Sequence, residues 1–145
     1  MFQDDVRRIY DFIQLHDHCV LATTDYKGSP EAAIVEFVLG DNGQIIFDTS
    51  KAYRKYTNLI HNPNVAITIG NGEENKGVQY EGTATQLTGD DLKAAKEIYF
   101  ARRPDARKWE NDPATVYFKV APRWLRMRDY TINPMSEIEC DLGTT

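Results

Sequence analysis

The sequence predicts a mainly β fold, a small antiparallel barrel with about three peripheral helices. Seven short apolar runs are separated by turn residues at regular spacing, which is typical of a closed antiparallel sheet. Three other segments carry apolar residues at helical spacing. One of these helices joins two strands over residues 45–69, but no glycine-rich phosphate loop accompanies it, which argues against a doubly wound parallel sheet.

Length and composition are those of one globular domain, residues 1–145, in which 41% of the residues are hydrophobic. The net charge of −5 and the isoelectric point near 5.2 argue against a nucleic-acid partner. No apolar run approaches the roughly 20 residues of a membrane helix, and the acidic N-terminus lacks signal-peptide features. We therefore expect a cytoplasmic protein without a membrane partner. Cys19 and Cys140 form neither a disulfide framework nor a metal-binding spacing, so we expect reduced thiols and no metal site.

The first half of the chain is predicted to contain one helix and three strands. Residues 2–13 have one apolar face at helical spacing and two acids near the start, which predicts an amphipathic helix. Strands are expected at residues 19–24 and 32–39. The Asn42-Gly43 pair favours a tight hairpin turn, because both residues tolerate positive φ. A third strand is expected to begin at residue 45.

The second half is predicted to contain four strands and a helix. Strands are expected at residues 65–69 and 78–87, the latter with one exposed face because its residues alternate in polarity. Thr88 is the expected start of a helix whose apolar residues include Leu92 and Ala95. Strands at residues 115–120 and 123–131 follow. The tail from about residue 134 is acidic, and we expect it to be loosely held.

The remaining helix, after the third strand, has an unusual charge distribution. Ser50 is the expected N-cap, and Pro63 ends the helix. Lys51, Arg54 and Lys55 occupy the first turn and a half, although the partial positive charge of a helix start favours acidic residues there. Two interpretations fit this spacing: a bound external anion, of which phosphate is the first choice, or a solvated basic turn.

Several short motifs occur in a fixed order along the chain: Leu21-Ala22-Thr23, Gly28-Ser29-Pro30, Ile46-Phe47-Asp48-Thr49, Arg54-Lys55, Asn58-Leu59, Asn62-Pro63-Asn64-Val65 and Tyr80-Glu81-Gly82. Together they resemble the pyridoxamine 5′-phosphate oxidase-like family, and within it the general-stress-protein branch. The resemblance covers roughly residues 5–130. It implies a six- to seven-stranded antiparallel Greek-key split barrel that forms a homodimer and binds FMN at the dimer interface.

The resemblance also implies which residues bind the phosphate of the cofactor. Arg54 and Lys55 match the residues that hold the flavin phosphate in this family, whereas Tyr53 stands where the family has a serine. Thr49 matches a threonine that ends the preceding strand near the flavin, and Ser50 is adjacent to it.

A second group of implied ligands lies near the flavin ring. Val35, Glu36 and Phe37 match the strand that supplies backbone groups to the ring. On the final strand, Trp124 shares a face with Arg128, which aligns with an aromatic residue of the family, so Trp124 is the candidate ligand there. Glu36 has two interpretations. It either faces the flavin or substrate, or it points outward or pairs with an arginine of the last strand.

The leading functional hypothesis is an FMN-dependent oxidoreductase that uses a nicotinamide nucleotide or another small-molecule substrate or reductant. Ala33, Val38 and Gly77 replace an arginine, a lysine and a glutamine of the oxidase proper, which argues against oxidation of pyridoxamine phosphate. The alternative is a non-enzymatic sensor or carrier that holds flavin, pyridoxal phosphate or haem in the same barrel. A deazaflavin-dependent reductase is a third hypothesis. No catalytic residue is identified by the sequence.

Overall fold

The computed structural model describes residues 2–70 and 72–143. Within these ranges the helices are α1 (Phe2–Gln14), α2 (Arg54–His61) and α3 (Gly89–Arg102). The strands are β1 (His18–Thr24), β2 (Pro30–Glu36), β3 (Val38–Leu39), β4 (Ile45–Ser50), β5 (Asn64–Gly70), β6 (Lys76–Gln86), β7 (Thr115–Asp129) and β8 (Ser136–Asp141). Short 3-10 segments lie at Asp41–Gly43, Gly72–Glu74 and Pro104–Trp109. None of the helices in the described ranges combines the length and apolar character that crossing a membrane requires.

The strands form one curled antiparallel sheet, a half-barrel, which confirms the predicted fold class. The order across the sheet is β2-β1-β5-β6-β7-β4-β3, and β8 adds to β7. One edge of β7 is therefore shared by two strands, because β4 pairs with residues 115–120 and β8 pairs with residues 124–129. The opposite edge of β7 pairs with β6 along nearly its whole length.

The number of strands is eight in the described residues, rather than six or seven. The predicted second strand is interrupted at Phe37, whose N–H donates to Asp17 O at 3.0 Å, so it becomes β2 and β3. The last two predicted strands are continuous and form β7.

Strand β8 corrects the expectation of a loosely held tail. Ile138 and Cys140 point into the core and are buried, while Glu137 and Glu139 between them are exposed. Glu137 accepts from Arg128 Nε at 2.7 Å. The acidic composition of the tail hid this alternation, which is the pattern of a strand with one buried face.

The main core lies between α1 and the concave face of the sheet. Ile9, Phe12 and Ile13 of α1 are buried there against strand residues. Tyr80 at the centre of β6 is fully buried, and its hydroxyl lies 2.7 Å from Gly43 O and 2.9 Å from Val120 O. A second cluster, which includes Ala95, Tyr99 and Phe100, lies beneath α3. These contacts fix β4, which carries part of the candidate site.

Candidate binding cavity

An open cavity of about 310 Å³ lies between β2, β4 and the chain that joins α3 to β7. Its walls combine aromatic, apolar, basic and acidic side chains. The lining residues are Ile34, Val35, Glu36, Asp48, Thr49, Ser50, Tyr53, Lys55, Trp109, Asp112 and Thr115. A cavity with one cation near a helix start, several polar groups and two aromatic rings is suited to a flat ligand that carries an anionic group.

The cavity brings together five of the eight residues that the sequence singled out. Val35 and Glu36 come from β2, and Thr49 and Ser50 come from β4. Lys55 comes from the first turn of α2. Residues distant in sequence therefore converge on one site because β2 and β4 lie close together although they do not pair in the sheet.

The other three predicted residues do not line this cavity. Phe37 is buried in the main core. The Arg54 guanidinium turns to Glu31, with Nε 3.1 Å from Oε2. The Trp124 ring lies at a separate surface pocket beside Asp141.

Helix α2 begins at Arg54, so the expectation that Ser50 is its N-cap is wrong. Tyr53 occupies the N-cap position, and none of the described side chains caps the helix. Ser50 remains in β4, and the next residue continues the sheet contact, since Lys51 N–H donates to Ala114 O at 2.9 Å. The Ser50 hydroxyl instead accepts from Ala52 N–H at 3.1 Å, within a turn before the helix.

The orientation of α2 depends on a buried polar contact. Asn58 is buried, and its Nδ2 donates to Thr23 Oγ1 at 3.0 Å and to Glu31 Oε2 at 3.3 Å. One residue further on, Leu59 is buried in the main core. Glu31 therefore contacts both Asn58 and Arg54, and it links the helix start to β2.

Thr49 lines the cavity, but its hydroxyl is enclosed by the protein. The residue is only 8% exposed, and its hydroxyl has no hydrogen-bond partner among the described residues. Buried hydroxyls are normally hydrogen-bonded, because an unpaired one forfeits its interaction with water. The Thr49 oxygen itself has almost no accessible surface, so other atoms of the residue form this part of the cavity wall.

The two acidic cavity residues Glu36 and Asp48 contact α3 or the residue that follows it. Glu36 pairs with Arg103 Nη2 at 2.5 Å, so its partner is the arginine that follows α3 and not an arginine of the last strand. Asp48 Oδ1 accepts from the Tyr99 hydroxyl at 3.1 Å. Burial raises the pKa of the Asp48 carboxyl, and the hydrogen bond from Tyr99 opposes this shift.

Sequence reasoning did not identify Trp109 as part of the site. The residue ends the 3-10 segment after α3, and its side chain lines the cavity while remaining half exposed. The surrounding sequence carries four cations and a proline, which indicates only a charged loop. A solitary tryptophan in such a loop was the one available signal.

Comparison with known proteins places these features in a family context. The family model described as pyridoxamine 5′-phosphate oxidase matches residues 6–129. A pyridoxine/pyridoxamine 5′-phosphate oxidase of Burkholderia thailandensis is 36% identical over 99 residues, which are 66% of this chain and 44% of that protein. A Burkholderia mallei protein of the same name is 34% identical over the same shares. The chain thus spans less than half the length of the curated relatives that it matches.

Solved structures show the same fold. A heme binding protein from Mycobacterium smegmatis has a TM-score of 0.75 and 21% identity, covering 89% of this chain and 55% of that one. An FAD-binding protein from Mesorhizobium loti has a TM-score of 0.71 and 16% identity, covering 84% and 90%. General Stress Protein 26 from Bacillus anthracis has a TM-score of 0.68 and 22% identity, covering 83% and 91%.

Proposed function

This chain belongs to the pyridoxamine 5′-phosphate oxidase family, and on that premise we propose that it binds FMN in the cavity and acts as a flavin-dependent oxidoreductase. The observation that carries the proposal is the cavity in which Lys55, at a helix start with no side-chain cap among the described residues, lies beside the Tyr53 ring and residues of β2. A flat ligand with an anionic group fits this combination of a cation, free helix N–H groups, an aromatic ring and an apolar wall.

The phosphate of FMN is assigned to the start of α2. Lys55 lines the cavity, and within residues 2–70 and 72–143 no side chain caps the first N–H groups of the helix. Free N–H groups at a helix start bind phosphate well. The Arg54 side chain is 83% exposed, and exposed ion pairs such as its contact with Glu31 are weak. Its guanidinium can therefore leave Glu31 for a phosphate, where a bidentate contact is stronger.

The ring of FMN is assigned to the part of the cavity bounded by Ile34 and Val35. The volume of about 310 Å³ is near the lower limit of ligand pockets, roughly 300–1,000 Å³, so one chain encloses the cofactor only partly. Bound FMN supplies hydride-transfer chemistry, with a nicotinamide nucleotide or another small molecule as reductant. The residues of this chain hold the cofactor, orient it and limit its contact with water.

A homodimer would complete the enclosure. The outer face of β1, β2 and β5 exposes the apolar residues Val20, Ala32, Ile34 and Ala66, and Ile34 is 74% exposed. Exposed apolar patches of this kind are typical of interfaces. Because Ile34 belongs both to this face and to the cavity wall, a second copy docked here extends the wall over the ring.

The alternative is a non-enzymatic carrier or sensor in the same barrel. It is favoured by Val38, which is buried in the second core cluster where the oxidase proper has a lysine. Haem is a less suitable ligand for this cavity, since none of the three histidines lies among its lining residues. Histidine is a common axial ligand of haem iron. A flavin carrier and a flavin enzyme are separated by testing whether a nicotinamide nucleotide reduces the bound flavin at a catalytic rate.

Titration with FMN and riboflavin tests the cofactor assignment. We expect the purified protein to show the visible spectrum of a bound flavin and to bind FMN more tightly than riboflavin. Replacing both Arg54 and Lys55 by Ala should lower the affinity for FMN by on the order of 10- to 100-fold and leave the affinity for riboflavin nearly unchanged. The reason is that only FMN offers a charged hydrogen-bond acceptor at this position. Lys93→Ala is the matched control, since Lys93 is an exposed cation of α3 outside the cavity.

Two results would overturn the proposal. Wild-type protein that binds neither FMN nor riboflavin excludes the flavin site. Equal losses for FMN and riboflavin in the double variant exclude the phosphate assignment. Sedimentation analysis of the wild type and of Ile34→Asp tests the dimer separately. We expect a dimer that dissociates in the variant and loses flavin affinity with it.

A further inference from the structure

We propose that Trp109 contacts the planar ring of the ligand and, with Tyr53, forms the aromatic walls of the cavity. Tyr53 immediately precedes α2, and Trp109 ends the 3-10 segment after α3, so the two rings come from distant parts of the chain. Both line the same cavity, and both remain largely exposed, at 58% and 51%. This inference rests on the proposed function and adds a ring-binding residue to it.

The position of Trp109 is well fixed by the chain around it. Ala106, in the same 3-10 segment, is buried beneath α3, and the Arg107 guanidinium lies 4.5 Å from the centre of the Phe100 ring. The Trp109 carbonyl accepts from Asp112 N–H at 3.1 Å, which closes the turn that leads into β7. The indole is therefore presented to the cavity by an ordered backbone, which lowers the entropy cost of stacking against a ligand.

The two tryptophans of the chain differ in whether the indole N–H has a hydrogen-bond partner among the described residues. Trp124 donates from Nε1 to Glu139 at 3.0 Å, and the Arg126 guanidinium lies 5.2 Å from its ring centre. Trp109 contacts a cation, Lys108 Nζ at 5.5 Å, but its indole N–H has no acceptor among residues 2–70 and 72–143. The half-exposed indole N–H of Trp109 can therefore donate to a ligand, whereas that of Trp124 already donates to Glu139.

Tyr53 connects the ring end of the cavity to the phosphate end. Lys55 Nζ lies 4.8 Å from the centre of the Tyr53 ring, so the cation assigned to the phosphate and one aromatic wall are adjacent. A flat ligand with an anionic arm can then place the arm at Lys55 and its ring beside Tyr53 and Trp109. Stacking on these rings removes apolar surface from water on both partners.

Substitution of each tryptophan, followed by titration with FMN and riboflavin, tests the assignment. Trp109→Ala should lower the affinity for FMN and for riboflavin by the same factor, about five- to tenfold, because the lost contact is with the ring that both ligands share. Trp109→Phe should retain most of the affinity, since an aromatic face remains. Trp124→Ala is the matched control and should weaken either ligand less than Trp109→Ala does. Circular dichroism and the melting temperature establish that each variant is folded.

The outcomes separate this inference from the proposed function. If the wild type binds FMN and Trp109→Ala binds it equally well, the ring assignment is wrong and the cofactor assignment stands. A loss in Trp109→Ala for FMN but not for riboflavin also overturns the ring contact. If the wild type binds no flavin, the proposed function fails and this assignment fails with it.

Discussion

Tyr80 offers the sharpest test of what holds the cavity-bearing part of the sheet. Its ring is fully buried at the centre of β6, and its hydroxyl lies within hydrogen-bond distance of the carbonyls of Gly43 and Val120. Gly43 belongs to the turn just before β4, the strand that carries Thr49. Tyr80→Phe removes only the hydroxyl, so the packing of the ring is retained.

The size of the effect follows from the two carbonyls. One hydroxyl proton is donated to one of them at a time, and its loss deprives a buried acceptor of its partner. A buried acceptor left unpaired costs about 1–3 kcal/mol, and we expect the free energy of unfolding to fall by that amount. For a domain of this size the melting temperature should then fall by about 3–10 °C.

Urea denaturation at one protein concentration measures the change, with the slope of the transition as a check that the two states remain the same. Tyr26→Phe is the matched control, because Tyr26 is 74% exposed and its hydroxyl should contribute within about 0.5 kcal/mol. A Tyr80→Phe protein as stable as Tyr26→Phe would refute the reasoning, since it would mean that the two carbonyls do not depend on the hydroxyl.

Three further predictions concern thiols, a buried carboxyl and an ion pair. Neither Cys19 nor Cys140 should react with a thiol reagent in the native protein, because both are buried and burial raises the pKa of the Cys19 thiol to about 12. Asp48→Asn should raise the melting temperature at pH 7, because burial raises the pKa of this carboxyl and its ionised form is costly in the folded state. The gain in melting temperature should shrink as the pH falls from above the folded-state pKa of Asp48 toward its unfolded-state pKa. The wild-type carboxyl then becomes protonated and loses the charge that is costly to bury. Glu31→Gln should increase FMN affinity about two- to fivefold, with riboflavin unchanged, because it frees Arg54 from an ion pair.

Each of these predictions has an outcome that contradicts it. Rapid reaction of Cys140 in the folded protein would mean that β8 detaches, and rapid reaction of Cys19 would mean that β1 is exposed. A gain in Asp48→Asn that is independent of pH would show that the charge of the carboxyl is not its cause. Unchanged FMN affinity in Glu31→Gln would indicate that Arg54 does not reach the phosphate.

Much of the fold could be predicted from local sequence patterns. The alternation in β6 and the helical spacing of α1 each predicted an element, because one face of each must be buried. The Tyr80-Glu81-Gly82 motif has a structural explanation. A Cβ on Gly82 would lie 2.3 Å from Ala121 O, beside the register shift between β6 and β7, so only glycine fits there.

The site was less predictable because its parts meet only in three dimensions. Arg54 matched a family motif, but its pairing with Glu31 depends on how β2 passes the helix start. Glu36 was expected to have an arginine partner of the last strand as one alternative, whereas the partner is Arg103, which follows α3. Trp109 lies in a loop with no periodic pattern, and its contact with the cavity follows from the path of that loop.

The pairing of β7 affects which parts of the domain unfold first. Both edges of this strand are occupied, and the changeover from β4 to β8 on one edge falls near Pro122, which has no N–H to leave unpaired. The paired amides of β7 should therefore exchange with solvent only when the whole domain unfolds. Strand β2, at the sheet edge, and the segment that carries Trp109 are not held in this way. Partial unfolding of the domain should therefore begin at the β2 edge of the sheet and leave β7 paired.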